Sequence, residues 1–158
     1  MSEQKITTFL WFDHNAEEAM KYYTSVFKDG KIIDITRYPS DMQVGPIPDM
    51  GGQVLNGIFE LGGQRFYCLD GGPIFKFNEA VSLMVACEDQ VEIDYFWEKL
   101  SAVPESEQCG WCKDKFGLSW QIVPKNMGEL LSSNEAVQAM LKMKKIDIEE
   151  LERAGDKK

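Results

Sequence analysis

At 158 residues, 44% of them hydrophobic, the chain is long enough to bury a real core and too apolar to be disordered. No apolar run reaches the roughly 18 residues of a membrane span, and the polar start Met1-Ser2-Glu3-Gln4-Lys5 does not read as a signal peptide, so a cytoplasmic protein is expected. A net charge of −9 without any basic stripe argues against nucleic acids and anionic membranes as partners.

In chain order, Ile6 to Phe12 is a predicted strand, rich in β-branched and aromatic residues. Asn15 with Glu18 reads as a capping box, opening a helix that carries Ala19, Met20, Tyr22, Tyr23, Val26 and Phe27 at helical spacing and stops at Asp29-Gly30. Lys31 to Tyr38 alternates as a strand, and a Pro/Gly-rich loop fills Pro39 to Gly52. Strands Gln53 to Leu61 and Gln64 to Asp70 follow, joined by the hairpin signal Gly62-Gly63. The pattern then recurs. Ala80 to Cys87 is a strand, Asp89 with Glu92 caps a helix through Leu100, and Glu107 to Lys113 and Leu118 to Val123 are strands joined by a turn ending in Gly117.

The halves, Lys5 to Gly72 and Ala80 to Lys125, are superimposable in sequence. Ile6 to Phe12 falls on Ala80 to Ala86 at an offset of 74, and the hairpin after Gly63 falls on that after Gly117 at an offset of 54. This is a two-fold internal repeat in one α+β domain spanning residues 1–158, whose halves are expected to curl around a small-molecule pocket. Two amphipathic helices, opened by Ser132 with Glu135 and by Asp147 with Glu150, occupy about 126–155. Packing on the chain's own core is the simpler use for them, a sheet-edge cover or a dimer contact the other. Lys142, Lys144 and Lys145 read as a solvated face.

Cys109-Gly110-Trp111-Cys112 has the spacing of a redox C-x-x-C. It leads into a turn and a strand instead of opening a helix, and residues three apart in a strand point to opposite faces. Cys68 and Cys87 read as small buried apolar residues. His14 is the only histidine, so neither a zinc site built on Cys/His pairs nor a triad is within reach.

Three motifs in order carry a family resemblance: Phe12-Asp13-x-Asn15-Ala16-Glu17-Glu18-Ala19-x-x-Tyr22-Tyr23; Gly71-Gly72-Pro73-x-Phe75-Lys76-Phe77; and Cys109-Gly110-Trp111-x-Lys113-Asp114-x-x-Gly117-Leu118-Ser119-Trp120-Gln121. Together they resemble the PhnB-like proteins of the glyoxalase/bleomycin-resistance, or vicinal oxygen chelate, superfamily, often labelled 3-demethylubiquinone-9 3-methyltransferase. The resemblance implies paired βαβββ modules, about 5–72 and 80–125, each forming half of an open barrel-like sheet, in a homodimer. A Rossmann-type methyltransferase would need a glycine-rich strand-to-helix turn and alternating β/α units, and this sequence has hairpins instead.

Metal-dependent members of that superfamily draw ligands from the first and last strands of each module. By register those positions map to Thr8, Tyr67, Ser82 and Gln121, with Thr8 equivalent to Ser82 and Tyr67 to Gln121. Hydroxyls and an amide are poor ligands for a divalent transition metal, so neither a bound metal nor another cofactor is expected. The same register predicts a pocket lined by Thr8, Leu10, Tyr67, Leu69, Ser82, Met84 and Gln121, with Asp70 at its rim and Phe75, Phe77 and Trp111 as wall aromatics. Trp11 and Trp120 are assigned to the helix-facing side. Two readings follow: a metal-free protein binding an aromatic or apolar small molecule, and an enzyme using Asp70 as acid or base, or a recruited metal. A structural dimer with a vestigial cavity is the third.

Overall fold

The computed structural model describes residues 4–156; the start of the chain read above as no signal peptide, Met1-Ser2-Glu3, lies outside the described residues. The chain divides into two compact units, one up to Lys76 and one from Phe77. Among the described residues no helix is long and apolar enough to cross a membrane.

The first unit contains β1 (Thr8–Phe12), α1 (Ala16–Val26), β2 (Lys31–Arg37), β3 (Val54–Leu61) and β4 (Gln64–Asp70). Its sheet has the order β1-β4-β3-β2, with β1 parallel to β4 and the other pairs antiparallel. The β3–β4 hairpin closes through Gly62 and Gly63, both at positive φ, as a two-residue turn with the twist of a right-handed ribbon requires. α1 lies on one face of this sheet. Its Ala16, Ala19, Met20, Tyr23 and Val26 are buried, as are Phe12, Phe59, Phe66 and Cys68 of the sheet, with Phe59 stacked between Tyr23 at 6.2 Å and Phe66 at 5.4 Å. Gly57 is small because Met20 crosses it.

The second unit contains β5 (Ser82–Cys87), α2 (Gln90–Leu100), a 3-10 turn at Pro104–Ser106, β6 (Trp111–Lys113), β7 (Ser119–Pro124), and the helices α3 (Met127–Leu130), α4 (Asn134–Leu141) and α5 (Ile148–Gly155). Its sheet is three-stranded, β5-β7-β6, so this module has one strand fewer than the first. The stretch from Ser101 to Gly110 is used up by the Pro104 turn and by the turn at Cys109-Gly110, and β6 begins only at Trp111. The edge left beside that turn is met by the C-terminal segment: Cys109 N–H donates to the Met143 carbonyl and Gly110 N–H to that of Lys144, each at 2.8 Å. Gln90 clasps the same segment, donating to the Ile146 carbonyl and accepting from Ile148 N–H. The C-terminal segment therefore serves both expected uses within the unit: Ala136, Ile146 and Leu151 are buried, and the chain between α4 and α5 covers the edge beside the Cys109 turn.

Caps explain the helix starts. Asp89 and Asp147 accept from the backbone N–H three residues on, as the capping boxes predict. α4 is capped by Ser133, one residue later than expected. Asn15 makes no side-chain cap bond at all; the start of α1 is held from another strand, as described below. A methyl group at Gly57 would lie 2.7 Å from the Met20 thioether and 2.8 Å from the Cys68 sulfur. Gly57→Ala is expected to destabilise the protein by about 1–3 kcal/mol through overpacking, read as a lowered urea midpoint with unchanged m-value.

Candidate functional site

In each unit a helix covers one face of the sheet, and the site hypothesis concerns the other. Register decides which residues that face carries, because side chains alternate along a strand. In the first unit Phe9 pairs with Tyr67 and Trp11 with Leu69, while Thr8, Leu10 and Phe12 pair with Phe66, Cys68 and Asp70. The second set is the helix-facing one. The open face therefore presents Phe9, Trp11, Tyr67 and Leu69, with the Phe9 and Tyr67 rings 6.0 Å apart.

Thr8 and Leu10 are thus on the wrong side for the predicted pocket, and Trp11 is on the right one. The cause is a one-residue slip in the repeat. In the second unit Met84 pairs with Gln121, so its counterpart across the repeat is Phe9, paired with Tyr67, and the first strands superimpose at 75 instead of 74. The helix caps Asn15 and Asp89 do keep 74. The difference lies in the connection, three residues between Phe12 and Ala16 but two between Cys87 and Gln90. A one-residue slip turns every side chain to the other face.

Trp11, expected on the helix-facing side, stands on the open face. Its indole N–H donates to the Gly72 carbonyl at 3.0 Å, its ring lies 4.8 Å from Phe75 edge-on, and a Cβ at Gly71 would strike it at 2.2 Å. The Gly71-Gly72 turn is laid flat against the indole and holds out Phe75, which is 61% exposed. The invitation to close approach in Gly-Gly following a strand was the available signal.

The open face of the second unit carries Ser82, Met84, Trp111, Lys113 and Gln121, the first two on β5 and the others on β6 and β7. Gln121 Nε2 donates to Ser82 Oγ at 2.9 Å. Trp111 is half-buried beside them. Lys113 is paired with Glu79 at 2.9 Å. Trp120 is on the helix side as predicted, buried, with its indole N–H donating to Asp114 at 2.9 Å.

Asp70 is not at a rim. It is 1% exposed, on the helix-facing register with Phe66 and Cys68. One carboxylate oxygen accepts from Ala16 N–H and the other from Val54 N–H, both at 2.9 Å, and its backbone carbonyl accepts from the Tyr38 hydroxyl at 2.9 Å. It supplies the cap that Asn15 does not. Period two, counted from Tyr67, would have placed Asp70 on this face.

The cysteines fit a structural role. Burial pushes the Cys68, Cys87 and Cys112 thiols up to about 12, far from the thiolate that redox exchange needs. Cys109, at φ 52, and Gly110 form a turn, not a helix start. Among the described residues no group of three or more His, Cys, Asp or Glu is placed to hold a metal ion. The donor set at the strand positions where the superfamily places ligands is aromatic, aliphatic, hydroxyl and amide, and does not fit a transition metal. Two clefts lie among the C-terminal helices, one of about 530 Å³ between α4 and α5 and one of about 360 Å³ beside α3 and α5.

A helix laid across a sheet whose β1 runs parallel to β4, repeated in diminished form, defines the glyoxalase/bleomycin-resistance class of fold. The family model described as 3-demethylubiquinone-9 3-methyltransferase matches residues 4–123. A structure described as a putative 3-demethylubiquinone-9 3-methyltransferase, PhnB protein, from Bacillus cereus is 41% identical, with a TM-score of 0.63 over 76% of this chain and 99% of that one. A protein from Pseudomonas aeruginosa (16% identity, TM-score 0.57, 77% and 98% covered) and the fosfomycin resistance protein FosX from Mesorhizobium loti (12%, 0.53, 84% and 100%) share the fold. No curated protein matches the sequence. The chain belongs to the PhnB-like family of the vicinal oxygen chelate superfamily.

Replacing Asp70 by Asn leaves one acceptor and turns an NH2 group toward a backbone N–H. We expect Asp70→Asn to cost about 2–3 kcal/mol, seen as a lower thermal midpoint, with no compensating change in the open-face residues.

Proposed function

We propose that this protein binds a neutral aromatic or apolar small molecule on its open sheet faces without a metal, and that it does so as a homodimer. The observation that carries the reading is the composition of those faces. Trp11, Tyr67 and Phe75 offer aromatic surface in one unit and Trp111 in the other, and Ser82 with Gln121 offers a neutral hydrogen-bonding pair. Hydrophobic walls with a few placed polar groups are what small-molecule sites are made of. The cation on the second face, Lys113, already has a carboxylate partner, which favours an uncharged ligand over an anion.

The enzyme reading is weakened by Asp70, whose two oxygens are committed to backbone donors. The methyltransferase in the family's description finds no support in the topology. β1 runs into α1 through Asp13-His14-Asn15, without glycine, and β2, β3 and β4 are joined antiparallel. A second copy of the chain is the partner we assign to the apolar side chains left in water, among them Phe9, Val81 and Met84, at 51%, 65% and 64% exposure.

Thermal-shift screening of neutral aromatic compounds should find stabilising ligands. Trp11→Ala and Tyr67→Ala should weaken binding at the first unit's face, and Gln121→Ala binding at the second's, each by about tenfold, on the order of 1.4 kcal/mol, while Thr8→Ala leaves both unchanged. Compounds that bind equally well to all four variants would sink the assignment. Protein purified without chelators should contain no stoichiometric transition metal, and light scattering should give the mass of two chains.

A further inference from the structure

His14 stands in the β1–α1 connection at φ 60. Its Nδ1 is 2.7 Å from Asp13 Oδ1 and its Nε2 is 3.1 Å from the carbonyl oxygen of Pro48. Pro48 belongs to the 39–52 loop. The base of that loop is closed by Tyr38 N–H to the Gln53 carbonyl and Gly52 N–H to the Tyr38 carbonyl, each at 2.9 Å, and it is anchored by the buried Met50. Its outer part, Asp41 to Gly45, is largely exposed.

Both groups facing the ring are acceptors. A carboxylate oxygen and a proline carbonyl have no hydrogen to give, and a neutral imidazole has one N–H. Only the imidazolium can satisfy both. When the ring loses a proton, the remaining one stays with the stronger acceptor, the charged Asp13, and the bond that is lost is the one to the loop. Next to Pro48, Ile47 packs on Gly72, where an added Cβ would lie 2.9 Å from its side chain. Gly72 is the residue whose carbonyl takes the Trp11 indole proton and whose turn carries Phe75.

We propose that His14 is a proton-operated latch: as the imidazolium it pins the 39–52 loop to the β1–α1 corner, and as the neutral ring it releases the loop and loosens, through Ile47, the Gly72 turn beneath Phe75. The charges bearing on the ring are Asp13 beside it and Asp70 on β4, both negative. The hydrogen bond to Asp13 raises its pKa above the ordinary value most strongly, partial burial opposes this, and the Pro48 carbonyl adds to it. A histidine raised on folding stabilises the native state fully below the unfolded value of about 6.5, and the contribution disappears as pH rises through the folded value. The latch is therefore closed in mild acid and opens toward and above neutrality.

The single histidine makes the test direct in a tag-free, isotope-labelled full chain. NMR should follow the His14 ring, the amides of Val44, Ile47 and Met50, and the Trp11 indole N–H across the range where imidazole titrates, roughly pH 5.5 to 8.5. The ring midpoint is expected above about 6.5, with the loop amides and the Trp11 indole moving at that same midpoint. His14→Gln should abolish the titration of the loop and indole signals, and Asp13→Asn should lower the ring and loop midpoints together. A ring that titrates at or below its ordinary value, or loop signals that stay flat or follow another midpoint in the wild-type chain, overturns the proposal. It does not depend on any ligand, so its outcome is separate from that of the binding screen.

Discussion

A carboxylate removed from water must be met by donors, and in the first unit Asp70 is met by two backbone N–H groups, one on each oxygen. One is Ala16, the first residue of α1; the other is Val54, the first residue of β3. A single side chain at the end of β4 thereby fixes where the helix begins and where the third strand begins. With Tyr38 holding its carbonyl, it also ties the exit of β2 to the same point. The helix is committed to one face of the sheet, and the opposite face is left open. In the second unit the position 54 residues on is Pro124, which cannot do this, and the buried carboxylate has moved to Asp114. There it accepts from Phe116 and Leu118 N–H and from the Trp120 indole. The two units solve one problem, how to lock the last strand to its surroundings, with acids at different places in the repeat.

Much of this was legible in the sequence because it is local. The Gly62-Gly63 hairpin, the Asp89 and Asp147 caps and the strand–helix alternation each depend on residues within a few positions of one another. The cap of α1 was not legible for the opposite reason. Asn15 and Glu18 have the pattern of a capping box, but a carboxylate 54 residues away reaches Ala16 N–H. Nothing in a local motif reports that competition.

The open faces were half legible, and the error in β1 has a single source. Tyr67, Ser82, Trp111 and Gln121 stand on open faces; Thr8, Leu10 and Asp70 do not. Aligning the first strand and the helix of each module at the one offset of 74 assumes that they are joined by connections of equal length. The first connection is one residue longer. A helix tolerates such an insertion by a change of rotation, whereas a strand cannot, since one residue exchanges its two faces. The aromatic content of β1 concealed the slip: both registers of Thr8-Phe9-Leu10-Trp11-Phe12 look plausible as an inner face. The contact that separates them is Trp11 with the Gly71-Gly72 turn, which no periodicity encodes.

The corrected register also changes what the duplication says about chemistry. Under the offset of 74 the two halves offered similar hydroxyls, Thr8 and Ser82, and the repeat looked like a symmetric pair of neutral sites. Under 75 the partner of Ser82 is Thr7, which precedes the strand, and Met84 answers to Phe9. The first open face carries three aromatics and Leu69 on its β1–β4 pair, while the second has a hydrogen-bonded Ser82–Gln121 pair beside Trp111. The halves share a helix laid on one face of a sheet, held by different contacts, and differ in the side chains of the other face. Selection for packing constrains the covered faces, because a change there leaves a cavity or a buried polar group unpaired. The open faces carry less of that constraint, and it is in their side chains that the two units differ.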